Sequence, residues 1–164
     1  MAKEIERKFL VSGSRWRLSA DAGVEIRQAY LATMNDRSLR VRTYADRRAQ
    51  LTMKVGQSSF VRDEYEFDID VGEAREMMQH AVGTVIEKVR HKVEHHGHVW
   101  EVDVYGGAYT GLVVAEVELA DESERPDLPD WVGREVTGES RYSNQAMALA
   151  VPFSGRTNAL QNQA

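Results

Sequence analysis

The sequence predicts a mainly β protein, a closed eight-stranded antiparallel barrel with a few flanking helices. Apolar and polar residues alternate with a period of two along most of the chain, the mark of strands with two different faces. The alternating runs number eight, and most breaks between them are short enough to join antiparallel neighbours. An even number of antiparallel strands closes into a barrel without leaving an edge exposed.

The first run, 3–11, sets Glu4, Glu6 and Lys8 on one face and Ile5 and Phe9 on the other. The second spans 24–33 and carries Gln28-Ala29-Tyr30-Leu31. After the turn Asn35-Asp36, the third, 37–45, opposes Arg40 and Arg42 to Leu39 and Val41. Ala45-Asp46-Arg47-Arg48 turns into the fourth, 49–56, with Thr52 and Lys54 against Leu51, Met53 and Val55. Gly56-Gln57-Ser58-Ser59 leads to the fifth, 61–71, where Arg62, Glu64 and Glu66 oppose Tyr65, Phe67 and Ile69. From Glu73 to Val82, Ala74, Met77, Met78 and Ala81 are spaced for one apolar helix face. The sixth run, 86–95, sets Lys88, Arg90 and Lys92 against Val89 and Val93. His95, His96 and His98 around Gly97 read as a solvated hairpin tip. In the seventh, 98–106, Glu101 and Asp103 oppose Val102 and Val104, and Gly106-Gly107 follows as a turn. In the eighth, 111–120, Glu116 and Glu118 oppose Val117 and Leu119. An acidic, proline-containing loop runs from Asp121 to Asp130, and a second helix is expected from Asn144 to Ala150. Trp16, Trp100 and Trp131 read as packing residues. One domain, 1–153, is therefore expected, with a polar disordered tail over 154–164.

Composition narrows the function. The chain has 164 residues and a net charge of -5, without the basic surplus of a nucleic-acid binder. It has no cysteine, which excludes disulfides and thiolate chemistry. The charged start Met1-Ala2-Lys3-Glu4 and the lack of a long apolar run point to a cytoplasmic protein with no membrane partner. Arginine outnumbers lysine, and its planar fork suits phosphate or carboxylate. No P-loop, dinucleotide fingerprint or zinc helix is present.

The charges are sorted: some strands offer pairs of cations, others pairs of carboxylates. Carboxylate pairs suit hard divalent cations such as magnesium or manganese. Arginine and lysine pairs suit phosphoryl oxygens. An open sheet with a solvated charged face would carry the same alternation. If the charged faces line a barrel instead, both sets converge on one site, and the apolar faces point outward and need cover.

In these residues the chain resembles the CYTH superfamily, the triphosphate tunnel metalloenzymes. Glu4, Glu6 and Lys8 match its N-terminal Glu-x-Glu-x-Lys, and Leu39-Arg40-Val41-Arg42 its Arg-x-Arg strand. Leu51-Thr52-Met53-Lys54, Arg62-Asp63-Glu64-Tyr65-Glu66, Glu87-Lys88-Val89-Arg90-His91, Trp100-Glu101-Val102-Asp103 and Ala115-Glu116-Val117-Glu118-Leu119 follow in the family's order. Gly133-Arg134-Glu135-Val136-Thr137 and Tyr142-Ser143-Asn144 lie behind them, so the resemblance spans about 3–150. It implies a tunnel with the charges inside. It also implies that Lys8, Arg40, Arg42, Lys54, Lys88 and Arg90 bind a small triphosphate. Glu4, Glu6, Glu64, Glu66, Asp103, Glu116 and Glu118 would hold magnesium or manganese, two ions in number. Lys8, Tyr30 and Lys88 would form the catalytic set, with Tyr30 tuning the position of Lys8.

Short bacterial-type members resemble inorganic triphosphatases, so hydrolysis of tripolyphosphate is the expected activity. Three alternatives stand beside it. A class IV adenylate cyclase would often carry a His-Phe pair where this chain has Met1-Ala2-Lys3. A thiamine triphosphatase would use Trp16 or Trp100 to stack on the thiamine rings. A polyphosphate-binding module would bind without turnover. A homodimer is left open.

Overall fold

Nine strands and two helices organise the computed structural model, which describes residues 2–57 and 61–150. The strands are β1 (Ala2–Val11), β2 (Val24–Thr33), β3 (Arg37–Tyr44), β4 (Arg48–Val55), β5 (Val61–Ile69), β6 (Ile86–His95), β7 (His98–Tyr105), β8 (Val113–Glu118) and β9 (Val132–Glu135). The helices are α1 (Val71–Met78) and α2 (Asn144–Leu149). The expected tail, 154–164, lies outside the described residues, as do Ser58 and Ser59 of one expected turn.

Every pairing is antiparallel, in the order β5-β4-β3-β2-β6-β7-β8-β1, and β1 returns to β5. Eight strands thus close a barrel, as the alternation predicted. β1 closes it by pairing Ala2–Ile5 with β5 on one edge and Glu6–Leu10 with β8 on the other. Beyond its β5 contact, β1 accepts the extra strand β9. β9 escaped the sequence reading because it has four residues, three of them exposed, and so no alternation to detect. A two-pronged ion pair from Arg7 to Glu135, at 2.8 Å for each bond, fastens it.

α1 begins earlier and ends earlier than its apolar spacing implied. Asp70 stops β5 and caps the helix, accepting hydrogen bonds from Gly72 N (2.8 Å) and Glu73 N (3.1 Å). At the other end Val82 N donates to the Tyr30 carbonyl at 2.7 Å, which draws the chain off the helix onto β2. The hairpin tip of β6–β7 is the turn His96-Gly97, with φ 46° and 83°.

The charged faces point into the barrel and the apolar faces point outward, beneath cover. α1 lays Ala74 and Met78 on Ala29, Val41 and Ala49 of β2–β4. A 3-10 turn (Arg15–Leu18) and the segment around Trp131 cover Phe9, Trp100, Val102 and Val117. Trp16, Trp100 and Trp131 are all buried in that outer layer.

One end of the interior is apolar. There Leu10, Tyr30, Ile86, Tyr105 and Val114 pack with Tyr142, Met147 and Ala148, so α2 seats in that end of the barrel. Tyr105 Oη donates to Asn144 Oδ1 at 2.8 Å and Tyr109 Oη to the Met147 carbonyl at 2.7 Å. No helix among the described residues is long and apolar enough to cross a membrane.

Gly83 lets the chain pass under α2. Its φ is 79°, and a Cβ there would run into the Ala148 carbonyl, which accepts a hydrogen bond from Thr84 N at 2.7 Å. Gly83→Ala is therefore expected to lower stability by about 2 kcal/mol in urea unfolding and to loosen α2.

Candidate active site

The inward faces enclose a cavity of about 940 Å³. Of the residues singled out from sequence, Glu4, Glu6, Lys8, Tyr30, Arg40, Arg42, Lys54, Glu64, Glu66, Arg90, Glu116 and Glu118 line it. Lys88 and Asp103 do not: their side chains have no exposed surface, and they form the floor behind the wall. Asp103 Oδ1 accepts from Arg90 Nε at 2.7 Å, and Oδ2 from Arg90 Nη2 at 2.7 Å and from Lys88 Nζ. Both oxygens of Asp103 are thus engaged by cations behind the wall. Lys88 is likewise enclosed behind the lining of the cavity. Burial and the neighbouring Arg90 bring Lys88 down to about 7.

Cross-strand register decides which charges are paired. On the β1–β8–β7–β6 side, Lys8 Nζ lies 2.9 Å from Glu116, and Glu116 lies 3.0 Å from Arg90. Arg90 also binds Glu101. Burial alone would raise Glu116, but Lys8 and Arg90 hold it well below the usual carboxylate range. Burial alone would lower Lys8, but Glu116 and Glu6 hold it above its usual value. On the β4–β5 side, Lys54 Nζ lies 2.7 and 2.5 Å from the two carboxylate oxygens of Glu4 and 3.1 Å from Glu64.

Tyr30 and Lys8 both line the cavity, and no hydrogen bond joins them among the described residues. Three strands separate β2 from β1 in either direction round the barrel, so the two residues stand on opposite walls. Lys8 is held instead by Glu116 and by the Tyr142 carbonyl at 3.3 Å.

Several charges lining the cavity make no ion pair among the described residues, and two sets of them face each other. Arg40 and Arg42 are 6% and 7% exposed, and neither is paired to a carboxylate. The Nε of Arg40 is buried with no acceptor. Across the cavity Glu6 and Glu118 sit directly opposite each other on β1 and β8, without an ion pair. Burial and the Glu116 charge push Glu6 up to about 7, and burial and Glu4 also raise Glu118. Among the described residues no trio of His, Asp or Glu side chains is gathered closely enough to grip a metal ion. The donor chemistry nonetheless fits a hard divalent cation, because opposed carboxylate oxygens are its usual ligands and their repulsion is what it would relieve.

Comparison with known proteins agrees with this geometry. A CYTH domain matches residues 2–148. The chain belongs to the CYTH family. It is 47% identical over 145 residues to an inorganic triphosphatase of Acetivibrio thermocellus, covering 88% of this chain and 92% of that one. An inorganic triphosphatase of Nitrosomonas europaea is 36% identical over 153 residues, with 91% and 99% covered. The crystal structure of an inorganic triphosphatase superposes with a TM-score of 0.65 at 34% identity, over 93% of this chain and 99% of that one. A Pyrococcus horikoshii protein shares the fold at a TM-score of 0.59 and 20% identity, over 73% and 80% of the two chains.

The CYTH barrel also brings to the cavity residues that were not among the expected site residues. Tyr44, Gln50 and Asn144 line the cavity, as do Lys92, His98 and Glu101. Gln28 is wholly buried beside Arg42. Gln28 and Gln50 share the inward face with Arg42 by simple alternation, but uncharged residues give no charge pattern to follow. His98 belongs to the hairpin tip as expected and also reaches Glu124 at 2.7 Å. Trp16 and Trp100, considered as platforms for a thiamine ring, lie outside the barrel wall and do not face the cavity.

Glu6 offers a test of the site's charge balance. Its carboxyl moves from an ordinary 4.5 to about 7, so the folded state binds its proton more tightly than the unfolded state. Its contribution to stability is complete below about pH 4.5 and is lost as pH rises through about 7. In EDTA, Glu6→Gln is expected to be more stable than the parent at pH 8 by on the order of 2 kcal/mol. The difference should shrink toward pH 5 in urea titrations across that range.

Proposed function

We propose that this CYTH protein hydrolyses inorganic tripolyphosphate to pyrophosphate and phosphate, using magnesium or manganese as two ions. One observation carries the reading: buried arginines without carboxylates face the half-buried Glu6 and the more exposed Glu118, which have no ion pair, across a single cavity. An anionic chain of phosphoryl groups and its divalent counterions would complete both sets at once, as buried charge requires. The names of the relatives point the same way.

In this reading Arg40 and Arg42 take the phosphoryl oxygens on the β3 wall. Lys8, Lys54 and Arg90 reach the same anion from the facing walls, exchanging part of their carboxylate pairing for phosphate. Lys88 acts from beneath, holding Asp103 and through it the orientation of Arg90. Glu4, Glu6, Glu64, Glu66, Glu116 and Glu118 are the ligands available to the metal ions. When bound, such ions neutralise phosphoryl oxygens and acidify water. Water attacks the terminal phosphorus in line, the bridging P–O bond breaks, and the electron pair leaves on pyrophosphate. Lys8, Arg40 and Arg42 stabilise the charge that accumulates on the leaving and transferred groups. The proton of the attacking water passes to a carboxylate or to solvent.

Phosphate release from tripolyphosphate, ATP and thiamine triphosphate, each with magnesium, manganese or EDTA, tests the reading. Release should come mainly from tripolyphosphate and disappear with EDTA. A cyclic nucleotide and pyrophosphate from ATP would establish a cyclase instead, and tight tripolyphosphate binding without release a binding module. Arg40→Ala is expected to raise KM for tripolyphosphate by about 10- to 100-fold, the loss of one charge-assisted contact. Glu6→Ala should abolish metal-dependent turnover while the far-UV circular dichroism stays that of the parent.

A further inference from the structure

The cations of the barrel fall into two kinds according to what stands opposite them. Arg90 faces Asp103 across the β6–β7 ladder, Lys92 faces Glu101, Lys54 faces Glu64, and Lys8 faces Glu116. Each of these cations has a carboxylate in direct register. The arginines of β3 do not. Arg42 lies between Gln28 on β2 and Gln50 on β4, and Arg40 between Tyr30 and Thr52.

The contacts around Arg42 use that neutrality. Its Nε donates to Gln28 Oε1 at 2.8 Å, and its Nη1 donates to Tyr44 Oη at 3.3 Å. Tyr44 Oη in turn donates to Gln50 Oε1 at 2.9 Å. Gln28 is 0% exposed and Gln50 is 7% exposed, so the chain of contacts is built into the wall. A buried arginine is ordinarily held by a carboxylate, which fixes the guanidinium and cancels its charge together. Here an amide and a phenol fix it and leave the charge uncancelled. The arrangement is costly for the empty protein: burial, then Arg40 and Arg90, hold Arg42 below its usual value.

We propose that Gln28, with Tyr44 and Gln50 on the other side of Arg42, is a positioning residue that orients Arg42 for the substrate without neutralising it. The inference rests on the reading of the cavity as a triphosphate site and adds the reason that site attracts an anion. Gln28 does not line the cavity and touches no substrate; it acts through Arg42.

Gln28→Glu and Gln28→Met separate this role from a structural one. Glutamate keeps an acceptor for Arg42 and adds a charge; methionine removes the acceptor and leaves the charge of Arg42 free. If Gln28 preserves charge, Gln28→Glu binds tripolyphosphate worse than Gln28→Met does, although it melts at the higher temperature. Isothermal titration with tripolyphosphate in EDTA, steady-state kinetics with magnesium and thermal melts supply the readouts. The expected result is a rise of at least 10-fold in Kd and KM for Gln28→Glu and about 2- to 5-fold for Gln28→Met. In both variants kcat should change less than KM. The reverse order, with Gln28→Glu binding as well as the parent, would overturn the proposal. Should Gln28→Glu fail to fold, Tyr44→Phe removes one acceptor of Arg42 without adding charge. It is expected to raise KM about 2- to 5-fold, and an unchanged KM would equally overturn the proposal. A parent protein that does not bind tripolyphosphate would instead overturn the function on which the inference rests.

Discussion

Arg90 is the interaction on which the interior of the barrel depends. Its guanidinium binds Asp103 through two nitrogens, reaches Glu101, and lies 3.0 Å from Glu116. Through Glu116 the network extends to Lys8 on β1, and through Asp103 to Lys88 on β6. Four consecutive strands thus neutralise one another before any ligand arrives. A charge buried without a partner costs several kcal/mol, so a barrel with so many internal charges folds only if most are matched internally. Asp103 and Lys88 carry that duty, which is why they sit behind the cavity wall and not in it.

Matching on one side makes mismatching possible on the other. Arg40 and Arg42 on β3, and Glu6 and Glu118 opposite, are among the places in the described residues where the barrel leaves charge without an ion pair. They lie around the same cavity, with neutral Gln28, Tyr44, Gln50 and Thr52 round the arginines. Binding strength in such a site comes from polar groups already oriented before the anion enters. The stability held by the Arg90 network and the affinity stored in the β3 arginines are parts of one charge distribution.

Placing charge inside inverts the ordinary arrangement of a small barrel, and the outside must then be buried. Three modest elements do this: α1, the Arg15–Leu18 turn and the segment carrying Trp131. Trp100 and Trp131 meet edge-on at 5.9 Å between ring centroids, and Phe9 packs on Trp100 at 5.6 Å. Side chains of this size contribute about 3–5 kcal/mol each when truncation leaves a cavity. α2 provides the remaining apolar contact by filling one end of the interior, which leaves the rest of it polar.

Alternation along the chain was enough to place the eight barrel strands, to sort charged from apolar faces, and to name most of the cavity's charged lining. A period of two is a local property, carried by each strand without reference to its neighbours. What stands opposite a residue is not local. Asp103 and Glu118 each sit in an acidic pair on an alternating strand, yet one meets Arg90 and the other meets Glu6. That difference buries the first in an ion pair and leaves the second facing the cavity. The neutral partners of Arg42, the separation of Tyr30 from Lys8, the four-residue β9 and the seating of α2 come likewise from pairing and packing. Coulomb energy and desolvation depend on distances between residues far apart in the chain, and only closure of the barrel sets those distances.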